Sequence, residues 1–310
     1  MPALERFLVT GAGGCLGAWT VRQLIGEGAD VVAFDLKADD RRLRLVAGED
    51  DLARVVWVQG DLTSLDAVRR VVDEHDVQAV VHLAALQVPF CRENPPLGAR
   101  VNVEGTVNVF EAMRGRDRLA PVVYASSVAA HDDSTLYGVY KRANEGTAAV
   151  YLTDHEVASI GLRPHTVFGP GRDQGVTSGP TLAMLAAAAG RPYEIGFGGS
   201  VAMQYAPDVA ALFIAAVRSG YDAATVEDLH GDVVSVAEIV AAVERAAPEA
   251  AGRITYAGGP LPFPAEADGS ALEAIIGPVP RTAFDAAVTD SVERFRDLLD
   301  RGLATSPQAA

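Results

Sequence analysis

The sequence predicts an α/β fold: a doubly wound parallel sheet followed by a smaller C-terminal region. Three observations carry this. Short apolar runs recur through the first half of the chain, as the strands of a sheet buried on both faces do. Amphipathic stretches separate them, and strand–helix alternation is the pattern of a parallel sheet covered by helices. From Gly169 the texture changes, with frequent glycine and proline and no regular strand spacing. The expected division is therefore 1–168 and 169–310, with some segments of the second part returning to the first.

The elements follow in order. Phe7–Thr10 is an apolar run halted by Gly11 and reads as the first strand. Ala18–Gly28 reads as a helix with Val21, Leu24 and Ile25 on one face. Val31–Phe34, Val55–Val58, Ala79–Leu83 and Val122–Ala125 supply strands two to five. Helices are expected between them at Leu65–Glu74 and Val101–Met113. A long helix at Tyr137–Thr153 and a sixth strand at Ala158–Leu162 complete the series. Beyond it, short helices are expected at Pro180–Ala189, Asp208–Ser219, Val236–Ala246 and Asp290–Leu299. Pro260, Pro262 and Pro264 make 257–269 a loop, and 305–310 reads as a frayed tail.

Composition narrows the function. The 310 residues include 26 basic and 41 acidic side chains, for a formal charge of −15. That balance predicts no nucleic-acid partner, because phosphate binding needs a basic face. It equally predicts no anionic membrane partner. The longest apolar runs, such as Val209–Val217, are too short to span a bilayer. The N-terminus carries no signal-peptide pattern. Two distant cysteines, Cys15 and Cys91, form neither a disulfide framework nor a zinc spacing. A cytoplasmic protein without a metal is expected.

The first motif is Thr10-Gly11-Ala12-Gly13-Gly14-Cys15-Leu16-Gly17, between a strand and a helix. Its glycines let the turn close and bring the backbone near a pyrophosphate, and the helix N-terminus adds amide donors and a favourable dipole. Gly11, Gly14, Cys15, Leu16 and Gly17 are its candidate binding positions. Asp35 ends the second strand, where a carboxylate accepts from ribose hydroxyls and repels a 2′-phosphate. The expected cofactor is NAD. Lys37 reads as a solvated loop lysine, or as the residue that admits NADP. Asp61, with Leu62, follows the third strand; it either accepts from an adenine amino group or caps a helix together with Thr63 or Ser64.

The second motif places Tyr137 and Lys141 four residues apart, on one face of a helix. An ammonium there stabilises phenolate and lowers the tyrosine pKa, which suits a general base. Tyr140 faces elsewhere on the same helix. Ser126 and Ser127 end the fifth strand at the edge where such sheets bind ligands, and a serine there can hold a substrate oxygen beside Tyr137.

These residues resemble the extended short-chain dehydrogenase/reductase superfamily and its NAD-dependent epimerase/dehydratase family. The likeness also rests on Gly60-Asp61-Leu62, His82-Leu83-Ala84-Ala85, Asn102–Asn108, Arg163–Gly171 and Asp208-Val209-Ala210. The resemblance implies a Rossmann-type NAD domain over 1–168 and a mainly substrate-binding region over 169–310. It implies catalysis by Ser127, with Ser126 as the fallback, together with Tyr137 and Lys141. Leu83, Ala84 and Ala85 would line the cofactor, Lys141 and Tyr137 would reach it, and Pro164 would pass near the nicotinamide. Asn102 would bind beneath the site or tether helix to strand. Homodimers would form through the helices at 101–113 and 137–153.

Three departures restrict the reaction. The Asp–Glu pair of sugar-nucleotide dehydratases is Val128-Ala129 here, and water elimination needs an acid. The arginine that holds diphosphate in nucleotide-sugar epimerases falls at Val201, which removes a bidentate contact; Arg172 or Arg191 are substitutes. An asparagine common in galactose epimerases is Thr166, and only nine residues separate Ser127 from Tyr137. These departures favour a dehydrogenase of a free aldose or uronate, with Gln87, Ser127, His165 and Arg172 as candidate substrate contacts. A nucleotide-sugar 4-epimerase with tightly held NAD is the alternative, and a non-catalytic redox sensor ranks below both. His82 reads as a packed histidine, Gln174 as a loop contact, His131-Asp132-Asp133 as a solvated turn, and Cys91 as a carbon base or an inert thiol.

Overall fold

The computed structural model describes residues 6–116, 120–262 and 264–307; positions 308–310 of the expected tail lie outside them. The strands are β1 (Arg6–Thr10), β2 (Asp30–Asp35), β3 (Val56–Gln59), β4 (Ala79–His82), β5 (Val122–Ala125) and β6 (Ser159–Arg163). They continue with β7 (Thr166–Phe168), β8 (Tyr193–Ile195), β9 (Ser200–Tyr205), β10 (Ala224–Asp228), β11 (Asp232–Ser235) and β12 (Ile254–Tyr256). The main sheet is parallel throughout, in the order β10-β6-β5-β4-β1-β2-β3. The strand order reverses between β1 and β4, and ligands of open α/β sheets bind outside the strand C-termini at such a switch point.

Both faces of the sheet are packed. Val9, Val81 and Ile160 join Leu24 and Ile25 of the Cys15–Gly26 helix and Phe213 of the Ala206–Arg218 helix in one cluster. On the other face Leu8, Val80 and Tyr124 meet Val71 of the Leu65–Glu74 helix and Phe110 of the Gly105–Met113 helix. A third cluster gathers Phe168, Met184, Ile195, Met203, Ile239 and Phe295 around a small sheet of order β11-β9-β7 and the pair β12-β8.

Element bounds depart from expectation where the capping signal is missing. The first helix begins at Cys15, inside the glycine loop, and its N-cap Gly14 has no side chain to signal it. The helix expected from Asp290 begins at Phe284, behind an Ala283 cap without side-chain hydrogen bonds. Val236–Ala246 starts where expected, because Ser235 and Glu238 form a reciprocal capping box. The helix expected at 101–113 is preceded by Pro95–Ala99 and a π turn over Arg100–Glu104.

Candidate functional site

The glycine loop presents an anion cradle. Gly11 takes φ +69° and its N–H donates to Phe34 O at 2.9 Å. A Cβ at Gly17 would lie 2.2 Å from Gly11 O, so helix and turn meet at a distance that only glycine allows. No side chain caps the Cys15–Gly26 helix, so its N-terminal amides are left to a ligand. Asp35 closes the adenosine end, accepting from Gly13 N at 2.9 Å and Leu36 N at 2.7 Å. These donors and this carboxylate fit a dinucleotide.

Two residues brace the cradle that the motif did not announce. Arg42 donates from Nη1 to Gly13 O at 2.9 Å and from Nη2 to Asp173 Oδ1 at 2.8 Å. Trp19 Nε1 donates to Pro170 O at 2.9 Å. The loop after β7 is thereby fastened to the phosphate loop. Burial raises the Cys15 thiol to about 12, so Cys15 stays protonated and inert.

The two readings of Asp61 resolve in part. Ser64 caps the Leu65–Glu74 helix, and Asp61 Oδ1 instead accepts from Thr63 N and Oγ1 at 2.9 and 2.8 Å. Leu62 is buried against Gly105, and Asn108 Nδ2 donates to its carbonyl. After β4, Leu83 N donates to Thr10 O and Ala84 N approaches Thr10 Oγ1, which keeps 83–85 along the loop. His82 lies between Thr10 and Thr106, and burial holds its pKa down at about 3, so the ring is neutral.

Asn102 is a tether. Its Oδ1 accepts from Leu86 N at 2.7 Å while Nδ2 donates to Leu86 O and Cys91 Sγ. That commits the amide to the loop after β4, the tether among its two expected roles. Burial also pushes the Cys91 thiol up. His165 is likewise committed: Nδ1 meets Thr166 Oγ1 at 3.1 Å and Nε2 meets Pro264 O.

The two serines face different partners. Ser127 caps the 3₁₀ turn Val128–His131, its Oγ accepting from Ala129 N at 3.2 Å, and its hydroxyl works to lower the Tyr137 pKa. Ser126 is buried and donates to Glu145 Oε1. Pro164 O accepts from Val128 N, which holds that segment against the turn. Gly138 allows the approach of turn to helix, since a Cβ there would sit 2.1 Å from Ala129 O.

Lys141 is buried, donates to Ala125 O at 2.6 Å, and stands 5.5 Å from the Tyr137 ring centre. Desolvation brings its pKa down to about 8. Tyr137 departs from expectation. Burial of the phenol end pushes its pKa up, and the groups pulling it back are Ser127 and Arg172. Behind this pair, Arg163 holds Glu145 through Nε and Nη2 at 2.8 and 2.7 Å. His131, expected in a solvated turn, pairs with Asp228 at 2.9 Å. Among the described residues no cluster of His, Cys, Asp or Glu is arranged to hold a metal.

Gln87 and Arg172 come together: a Cβ at Gly175 would lie 2.2 Å from Gln87 Oε1 and 3.1 Å from Arg172 Nη2. Val201 is fully buried in β9. Asp208 accepts from Thr282 N at 2.7 Å, anchoring the C-terminal segment.

Fold and loop define a Rossmann-type protein with a glycine loop suited to a dinucleotide. The chain matches the NAD dependent epimerase/dehydratase family over residues 7–230 and belongs to it. It is 29% identical over 182 residues to UDP-glucuronate 4-epimerase 5 of Arabidopsis thaliana, covering 53% of this chain and 42% of that protein. It spans about half the length of such relatives. L-threonine dehydrogenase from Clostridium difficile superposes with a TM-score of 0.81 at 19% identity, over 97% of this chain and 99% of that one. MoeE5, solved with UDP-glucose and NAD, gives 0.76 at 25% identity, over 95% and 100%. No helix among the described residues is long and apolar enough to cross a membrane.

Proposed function

We propose that this protein transfers a hydride at a carbinol of a sugar-like substrate. The observation that carries the reading is the buried Lys141, its ammonium 5.5 Å from the Tyr137 ring at the end of the strand that leads to Ser127. Ser127 holds the substrate oxygen, Tyr137 takes the hydroxyl proton, and the Lys141 ammonium stabilises the phenolate. NAD, when bound, supplies the hydride acceptor; the cradle of Gly11, Gly14, Cys15, Leu16, Gly17 and Asp35 would hold it, with Leu83–Ala85 alongside. In this reading 1–168 is the NAD domain and 169–310 mainly covers the substrate, in a cytoplasmic homodimer.

Two completions follow from this first step. In a 4-epimerase the hydride returns to the opposite face of the carbonyl, and the UDP-glucuronate and UDP-glucose 4-epimerases among the relatives support this completion better than the other. In a dehydrogenase of a smaller carbinol the cofactor leaves reduced. Val201 favours that second reading, because a buried valine gives a diphosphate no charge partner.

Tyr137→Phe should reduce turnover at least 1000-fold with NAD affinity within twofold; normal turnover would remove Tyr137 from the reaction. Cofactor that survives gel filtration at one NAD per chain, with an inverted sugar as product, supports the epimerase. An empty protein that releases NADH supports the dehydrogenase.

A further inference from the structure

Arg172 is a cation with no counter-ion among the described residues. It follows the Gly169–Gly171 turn after β7 and is half-buried. Nη2 donates to the neutral Thr177 Oγ1 at 3.1 Å, while Nε is buried with no hydrogen-bond partner. No carboxylate among the described residues pairs with it. Its neighbour Asp173 is the nearest in sequence, and Arg42 holds that side chain at 2.8 Å. A buried donor left unmade is costly, and a partly buried charge without a partner more so.

Position gives the vacancy a meaning. Arg172 sits against Gln87 across Gly175. Its charge reaches the Tyr137 phenol and opposes the effect of burial there. Nε and Nη2 form one edge of the planar fork, the edge that meets a carboxylate through two parallel hydrogen bonds.

We propose that Arg172 is the receptor for a carboxylate on the substrate, with Gln87 beside it, so that the molecule oxidised is a sugar acid rather than a neutral sugar. This rests on the proposed hydride-transfer site but holds for either completion, since a free and a nucleotide-linked uronic acid carry the same group. The other oxyanion within reach of this loop is the cofactor pyrophosphate, and the test separates the two.

The test is binding to the full chain loaded with NADH, read by nicotinamide fluorescence, so that no turnover is needed. Matched probes differ only in the acid: glucuronate against glucose, galacturonate against galactose, and UDP-glucuronate against UDP-glucose. At least one acid should bind tenfold or more tighter than its neutral partner. Arg172→Met should erase that preference while NAD affinity stays within twofold, which also reports a folded protein; Arg172→Lys should restore part of it. Equal binding of acid and neutral partners, or no acid binding, overturns the proposal. So does an Arg172→Met variant whose loss is in NAD affinity, which would give the guanidinium to the cofactor. Turnover of neutral sugars alone would sink the carboxylate and leave hydride transfer standing. Acid binding without turnover would do the reverse.

Discussion

Gly138 stands at the tightest contact around Tyr137 and Ser127. Its absent Cβ would meet the backbone oxygen of Ala129 at 2.1 Å, and a backbone atom has no rotamer to escape into. Gly138→Ala must push the Val128–His131 turn away, and Ser127, its N-cap, with it. We expect about 1–3 kcal/mol of destabilisation, as for overpacking, and at least a tenfold loss of kcat with NAD affinity kept; urea denaturation and steady-state kinetics check both. Lys141 sets a pH limit. With its pKa lowered to about 8, the ammonium is present below that pH and lost as pH rises through it. A rate that needs the charge should therefore fall on the alkaline side near pH 8, and a profile flat to pH 10 would contradict the role.

At the scale of elements, Glu145 joins three parts of the site. It lies one turn beyond Lys141 on the Leu136–His155 helix, accepts from Ser126 at the end of β5, and pairs with Arg163 at the end of β6. Arg163 also reaches Asp228 at the end of β10, within 3.7 Å. The helix carrying Tyr137 is thus held to the strand carrying Ser127 by charges that are mostly out of solvent. Removing one member leaves the other uncompensated. Glu145→Gln should cost about 3 kcal/mol, and Glu145→Gln with Arg163→Met less than the single change. Chemical denaturation of the three proteins gives the answer, and additive losses would show that the pair is not coupled.

For the whole molecule, what the sequence revealed depended on the range of the interaction. Strands such as Val122–Ala125, packed on both faces, appear as apolar runs, and the glycine loop and Tyr137–Lys141 are local spacings. The Leu65–Glu74 helix was legible to the residue because Ser64 caps it. The three-residue strands β7, β8 and β12 carry no period to read. Asn102 lies in a family motif, yet its tether to Leu86 and Cys91 depends on a turn that no spacing announces. The pairs Arg42–Asp173 and Glu145–Arg163 join residues far apart in the chain, so only the folded structure assembles them.

Arg42 and Trp19 fasten the loop that bears Arg172 to the loop that cradles the dinucleotide. The two ligands therefore share a wall. On the proposed reading, whatever orders that wall for the dinucleotide also shapes it for the substrate, and the expected order of binding is dinucleotide first. Arg42→Ala should loosen both together, raising the Kd for NAD and the KM for substrate, and product inhibition should show compulsory order in the unaltered enzyme. The same shared wall lets a single arginine outside either pocket set how long the cofactor stays.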